Sequence, residues 1–341
     1  MSRQTYLLKR VGQGILTLFI VITITFILYR VMPGNPIVAY RAQIIERMLS
    51  EGGSVNMERV NRIIRVTTNI DPSEPIHEAY FDYMTQIIVH QDFGESIFRG
   101  EPVFDILFKA MPWSVFISVY GLLLGFSTRI VLGALMAYKE GSLFDSGMTT
   151  ITIFSTSVPY YVVAILALSI FAFQLGWFPT SGRYPGGTTP GFNLPFMLGI
   201  VHHASLPILT GFIVGFGGGL AMRGNSIRLL GEDFVRHAQI RGVSTQRITL
   251  RYILRNAILP MYTGLMIGIS GIFSSGIITE RIFSYVGVGW YTFEAFLRQD
   301  YPLLMGSFIF YTTLTIIGIL IAEFTYGLID PRADTTDRES F

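Results

Sequence analysis

Residues 231–260 read Gly-Glu-Asp-Phe-Val-Arg-His-Ala-Gln-Ile-Arg-Gly-Val-Ser-Thr-Gln-Arg-Ile-Thr-Leu-Arg-Tyr-Ile-Leu-Arg-Asn-Ala-Ile-Leu-Pro, a basic island with hydrophobic segments on both sides. A long cationic loop between two membrane spans belongs in the cytoplasm. Its first part places Leu230, Phe234 and Ala238 at i, i+4 and i+8, one apolar face of a helix. Glu232 and Asp233 near the start and Arg241 at the end suit the helix dipole. Gly242 then permits a backbone break, and Ser244 can cap a second helix. In that helix Arg247, Arg251 and Arg255 recur every fourth residue, a basic stripe suited to phosphate headgroups. Two readings follow: a docking surface for a soluble partner, or an ordinary cytoplasmic loop made of amphipathic helices.

Working outward, the chain has 341 residues, 50% of them hydrophobic and 14% charged, with mean hydropathy +0.49. A soluble domain carries about 25% charge, so the deficit and the long apolar runs indicate an integral membrane protein. There is no cysteine, which excludes disulfides, thiolate metal sites and thiol catalysis. The net charge of +2 says less than its distribution does.

The apolar pattern predicts six spans, at about 13–32, 112–137, 150–175, 198–222, 259–279 and 303–328, each near the roughly 20 residues a bilayer core requires. The first follows Arg3, Lys9 and Arg10 and reads as an uncleaved anchor. The loop after the second span holds Lys139. The loop after the fourth holds Arg223, Arg228, Arg236, Arg241, Arg247, Arg251 and Arg255. The alternate loops hold only Arg183, and Arg281 with Arg298. Both termini and the basic loops therefore belong inside the cell. The long stretch 33–111 mixes acids and bases and reads as a small helical subdomain outside. Gly176 to Pro195 reads as an irregular exterior excursion.

The chain carries no nucleotide site of its own. Gly219-Leu-Ala-Met-Arg-Gly-Asn225-Ser226 approaches a P-loop, but Asn225 stands where the phosphate-binding lysine must be. His202 and His203 are adjacent and cannot share a helical face. They read as an interfacial polar pair, and no histidine has metal-ligand spacing. No nucleophile elbow or metalloprotease helix is visible. Arg129 falls inside the second span, and an intramembrane charge is a functional candidate by default. Snorkelling or bundle packing also accounts for it. Glu323, late in the sixth span, suits a structural hydrogen bond near an inner gate. Gly215, Gly217, Gly218 and Gly219 permit a gate or simply close helix packing.

The basic island resembles the EAA loop of ABC-importer permeases, the element that docks on the ATPase subunit. The peptide-type branch has a pattern close to Asp-Tyr-Val-Arg-x-Ala-x-x-Lys-Gly-Leu-Ser. This chain supplies Asp233, Phe234, Val235, Arg236, His237, Ala238, then Arg241, Gly242, Val243 and Ser244. The family's Leu-Arg-Asn-Ala-Leu-Leu-Pro appears as Leu254-Arg255-Asn256-Ala257-Ile258-Leu259-Pro260. Further resemblances cover nearly the whole chain: Pro33-Gly34-Asn35-Pro36, Asp92-Phe93-Gly94-Glu95-Ser96, Leu175 to Gly182, Glu280 to Ser284 with Gly287-Val288-Gly289, Asp300-Tyr301-Pro302, and Tyr326 to Arg332. Asn69-Ile70-Asp71-Pro72 and the stretch 41–68 depart from the pattern, outside the membrane, where they bear on substrate and receptor fit.

The chain is thus similar to the first permease subunit of a dipeptide/oligopeptide, peptide/nickel-type, ABC importer. The resemblance implies an all-α membrane protein with six transmembrane helices and the type I importer fold. It divides the chain into an N-terminus with the first span (1–32), an extracytoplasmic helical subdomain (33–111), a permease core (112–328) enclosing a coupling loop (223–258), and a cytoplasmic tail (329–341). The implied partners are a paralogous second permease subunit, two ABC ATPases that hold the ATP and magnesium, an extracytoplasmic substrate-binding protein and membrane lipid, with no nucleic acid. No bond chemistry falls to this chain, which has no cofactor of its own. Asp233, Phe234, Arg236, Ala238, Arg241, Gly242, Arg255, Asn256 and Pro260 are the expected ATPase-coupling residues. Arg129, Gly217, Gly218 and Glu323 are the gate or intramembrane polar candidates. Peptide is the family's default substrate, and members also carry nickel chelates, opines or oligosaccharides. Two other classes of reading remain: an intramembrane hydrolase, whose convergent catalytic groups inside the spans are missing, and a secondary transporter or channel subunit. The latter would need an inverted repeat and charged midplane sites, and neither is evident.

Overall fold

The structure, a computed structural model, describes residues 3–31, 36–71, 74–215, 218–270, 272 and 276–329. In chain order the helices are α1 (Arg3–Val31), α2 (Pro36–Ser50), α3 (Met57–Thr68), α4 (Ile76–Ile88), α5 (Val103–Tyr138), α6 (Leu143–Ser157) and α7 (Tyr160–Ala167), which runs on as a π-helix (Leu168–Gln174). Then come α8 (Leu194–Val214), α9 (Gly218–Leu230), α10 (Asp233–Ile240) and α11 (Thr245–Arg247), continued by a second π-helix (Ile248–Ile253). The chain closes with α12 (Leu254–Ser270), α13 (Ile277–Ile282), α14 (Val288–Arg298) and α15 (Tyr301–Ile329). Extended pairing among the described residues is an isolated bridge between Glu95 and Pro102.

Among the described residues, four helices are long and apolar enough to cross a bilayer: Leu8–Leu28 within α1, all of α5, all of α8, and Tyr301–Ala322 within α15. At most a third of each apolar stretch is buried inside the chain. The remainder presents side chains such as Leu16, Phe19, Leu123 and Leu198, as lipid contact requires.

The expected third span is broken. α6 and the α7 helix meet at a bend of 98° across Val158-Pro159. Proline disfavours helical geometry in the residue before it, and Val158 is extended, with ψ 125°. Counted as one span, the bent pair makes five. The expected fourth span ends at Val214 rather than near 222, and α12, in place of the fifth, has 17 residues. α5 begins nine residues before the expected start, and its 36 residues extend about 54 Å, well beyond a bilayer core.

The chain packs as two compact units. The first comprises the described residues of Met1–Pro112, Gly287–Leu320 and Gly327–Phe341. Its main core joins Ile22 and Phe26 of α1, Ile44 of α2, Ile64 of α3, Tyr83 of α4 and Ile309 of α15. The helices between the first two long spans thus share a core with two span helices. α3 shows how local sequence builds this: Asn56 accepts from the N–H groups of Glu58 and Arg59, a sound N-cap. Asn69 closes the helix in the left-handed region at φ 57°. Val60, Ile64, Thr67 and Thr68 face inward, while Arg59, Arg62 and Arg65 are exposed.

The second unit comprises Trp113–Val286 and Ile321–Tyr326, less the undescribed residues. One of its cores gathers Ile117 of α5, Ala164 of α7, Ala204 and Leu206 of α8, and Phe283 and Tyr285 after α13. Residues 176–193 carry no helix, as their glycines and prolines suggest. Arg183 in that stretch stacks over Trp113 at 4.8 Å and donates to the Val286 carbonyl at 3.0 Å. His202 and His203 do not cooperate. Each ring nitrogen pairs with a different backbone carbonyl, of Trp177 and of Gly199.

Candidate coupling loop and intramembrane site

The basic island folds into a helical hairpin with its own small core. Val235, Ala238, Ile248 and Ile253 are buried together, with Leu229, Leu230, Phe234, Val243 and Tyr252 packed around them. α10 starts after Glu232 with Asp233 in its first turn, where a carboxylate favours the dipole. It ends in a turn closed by the Gly242 N–H on the Gln239 carbonyl, 2.9 Å, and the Val243 N–H on the Ala238 carbonyl, 3.1 Å. Gly242 has φ 71°, the left-handed conformation that glycine adopts without cost. The break at Gly242 is as expected, and its cause is conformational, because a Cβ there would meet nothing within 4 Å.

The apolar stripe, however, points the other way from the sequence reading. Phe234 and Ala238 were expected to share the face that enters a partner. Ala238 is instead 4% exposed, against its own chain. The solvent face of α10 carries Asp233, Arg236, His237 and Ile240, spaced i, i+3, i+4, i+7. Ile240 is 76% exposed, and sequence reasoning passed over it. A partner-seeking apolar residue and a core residue are chemically alike, and only about half a turn of rotation separates them. Arg241, Gly242, Arg255 and Asn256 are all exposed, and the Asn256 amide donates to the Tyr252 carbonyl at 2.7 Å.

Arg129 is held inside the second unit. Its Nε donates to the Gly215 carbonyl at 2.8 Å, at the C-terminus of α8. Terminal carbonyls lack intrahelical partners and carry the negative end of the helix dipole, so a guanidinium there satisfies both. Gly218 makes the arrangement possible, because a Cβ at that position would collide with the Arg129 Cδ. Gly133 does the same for α5 against α9: a Cβ would lie 2.8 Å from the Arg223 nitrogen. Gly217 lies outside the described residues, as do the side chains of Pro260 and Glu323.

Three features escaped the sequence reading. Arg223, counted there as a loop cation, forms a bidentate pair with Asp145, both bonds 2.6 Å. Asp145 is 3% exposed and also accepts from the Gly141 N–H at 3.1 Å. The pair ties the first turn of α6 to α9 across 78 residues. In the first unit, the Asp300 carboxylate accepts from the Ser96 hydroxyl and from the Ile97 N–H at 3.2 Å. Two motif fragments noted separately in the sequence thus form one contact. Last, Glu280 of α13 is 2% exposed and lines a cavity of about 120 Å³ in the second unit.

A helical chain with several bilayer-length apolar helices and a charged, self-packed loop has the architecture of a multi-pass membrane protein. Residues 129–335 match the family of binding-protein-dependent transport system inner membrane components, and residues 3–118 match the N-terminal part of that system's membrane component. The chain belongs to this family. It is 29% identical to the di/tripeptide transport system permease protein DppB of Pseudomonas aeruginosa, over 96% of this chain and 98% of that one. It is 30% identical to the oligopeptide transport system permease protein OppB of Haemophilus influenzae, over 96% and 98%. To the dipeptide transport system permease protein DppB of Bacillus subtilis it is 28% identical, over 96% and 97%.

Proposed function

We propose that this chain is the first permease subunit of an ATP-driven importer for peptides or a similar small solute. A binding protein outside the cell delivers the solute. A second, related permease completes the path, and two ATPases supply the energy. The names of the relatives, which align over nearly the full length, carry the substrate class. The α10 hairpin carries the coupling. A loop that buries its own apolar stripe and still exposes Ile240 beside Arg236 behaves as a rigid plug for a groove in another protein. ATP closes the ATPase pair, the plug moves with it, and the spans switch the side to which the path opens. Binding drives the switch only by favouring one state over the other. The six-span type I arrangement, both termini inside and residues 33–111 outside complete the reading. This subunit performs no bond chemistry, and ATP with magnesium belongs to the ATPases.

The test is copurification. Tagged permease should bring down the ATPases, and reconstituted vesicles should take up dipeptide only when ATP is hydrolysed. Ile240→Asp and Arg236→Glu should each lower the copurified ATPase at least fivefold while the permease still inserts. Uptake that persists without ATP hydrolysis would place the chain among secondary transporters instead.

A further inference from the structure

The cavity beside Glu280 is built around a carboxylate. Its described lining includes Ile117, Ser118 and Gly121 of α5, Tyr160 of α7, and Thr279 with Glu280 of α13. Glu280 is the one acidic or basic side chain in that lining, and it is 2% exposed. Gly276 clears the space for it: a Cβ at 276 would come within 2.7 Å of Oε1. The Glu280 backbone is pinned at both groups, its N–H donating to the Gly276 carbonyl at 2.8 Å and its carbonyl accepting from the Tyr285 N–H at 2.8 Å. The turn that carries the side chain is therefore held in place.

The Tyr160 hydroxyl is buried and completes no hydrogen bond among the described residues, with the Thr210 and Thr279 hydroxyls its polar neighbours. Hydroxyls clustered at a cavity wall can accept from a ligand or a water. A Cβ at Gly121 or at Gly211, which also lines the space, would meet nothing within 4 Å, so the cavity is open where a side chain would have closed it. Its volume exceeds what one water needs and suits the terminal residue of a chain molecule, not the whole of one. A carboxylate among neutral hydroxyls selects a cation over an anion.

We propose that this cavity binds the protonated amino terminus of a peptide in passage, with Glu280 as the anionic anchor and Tyr160 and Thr279 as neutral acceptors. The assignment rests on the peptide-importer reading for its ligand class. It goes beyond that reading by placing a charge-selective station inside the permease itself.

The experiment uses the assembled transporter in lipid nanodiscs without binding protein, and measures saturation-transfer NMR of L-alanyl-L-alanine and of its N-acetyl counterpart. The free dipeptide should bind the wild type, and the acetylated one should not. Glu280→Gln should weaken dipeptide binding at least tenfold, and Glu280→Asp should restore part of it. Gly121→Leu, which fills the cavity and leaves the carboxylate intact, should also abolish binding and guards against misfolding of the glutamine variant. Equal binding by wild type and Glu280→Gln, equal binding of the acetylated probe, or no binding to wild type would each overturn the assignment. ATP-driven uptake by the wild type is read separately. If uptake is absent while charge-dependent binding stands, the importer reading falls and the site does not. If uptake is normal and binding fails these criteria, the site falls alone.

Discussion

Position 242 shows how much one residue can declare. A glycine between two helical patterns announced a break, and its φ of 71° is the conformation an L side chain resists. Gly242→Val should cost about 1–2 kcal/mol of local strain with no steric clash. It should shift the hairpin's geometry and reduce copurified ATPase without impairing insertion. Ala238 shows the opposite. Its apolar stripe was legible, but a stripe states only that it is buried, not against what. Ala238→Glu now places an unpaired charge among Val235, Ile248 and Ile253, at a cost of several kcal/mol. It should lower the apparent melting temperature in detergent and expose the hairpin to protease. Ile240→Asp should leave melting unchanged and affect only ATPase binding. If Ala238→Glu melts normally, the inward packing of α10 is refuted.

At the scale of elements, helices were readable wherever apolar character persisted, and breaks were readable only where a residue forces them. Pro159 forces one between α6 and α7, yet the uncharged run through it, Ser155-Thr156-Ser157 included, read as a single span. Contacts between elements left no local trace. Arg223 looked like one loop cation among seven and Asp145 drew no reading, because a pair 78 residues apart has no period to detect. Removing one partner strands the other near a buried position, so Asp145→Ala should cost on the order of 3 kcal/mol. The double variant Asp145→Ala with Arg223→Met should recover much of that loss. Apparent melting of the two single variants and the double closes the cycle. Strict additivity would mean that the pair contributes nothing to joining α6 and α9.

For the molecule as a whole, the absence of cysteine makes topology directly testable. Val55→Cys should react with an impermeant thiol reagent on intact cells, and Gln246→Cys only after permeabilisation. Both positions are exposed within the chain, so a reversed pattern would invert the orientation drawn from the arginine distribution. The core shared by α1, α2, α3, α4 and α15 adds a second expectation. Deleting residues 41–68 removes Ile44, Val60 and Ile64 from it and should destabilise the first unit, where a detachable outer subdomain would have left the rest intact. Normal melting of the deletion would restore the detachable picture.

The sequence by itself determined the class. A bilayer imposes long apolar helices whatever their order, the arginine bias writes the expected orientation into composition, and motifs spread along the chain carried the family. Glycine positions likewise foretold Gly242's turn. Only the tertiary structure decided which face of α10 turns outward, that Arg129 closes the end of α8, that Asp145 holds Arg223, and that Glu280 lies in a cavity cleared by Gly276. The reason is physical. Composition and periodicity act along the chain, within a few residues, and leave a local record. Burial, ion pairing and cavities depend on which distant segment arrives alongside, and that is settled only when the helices pack.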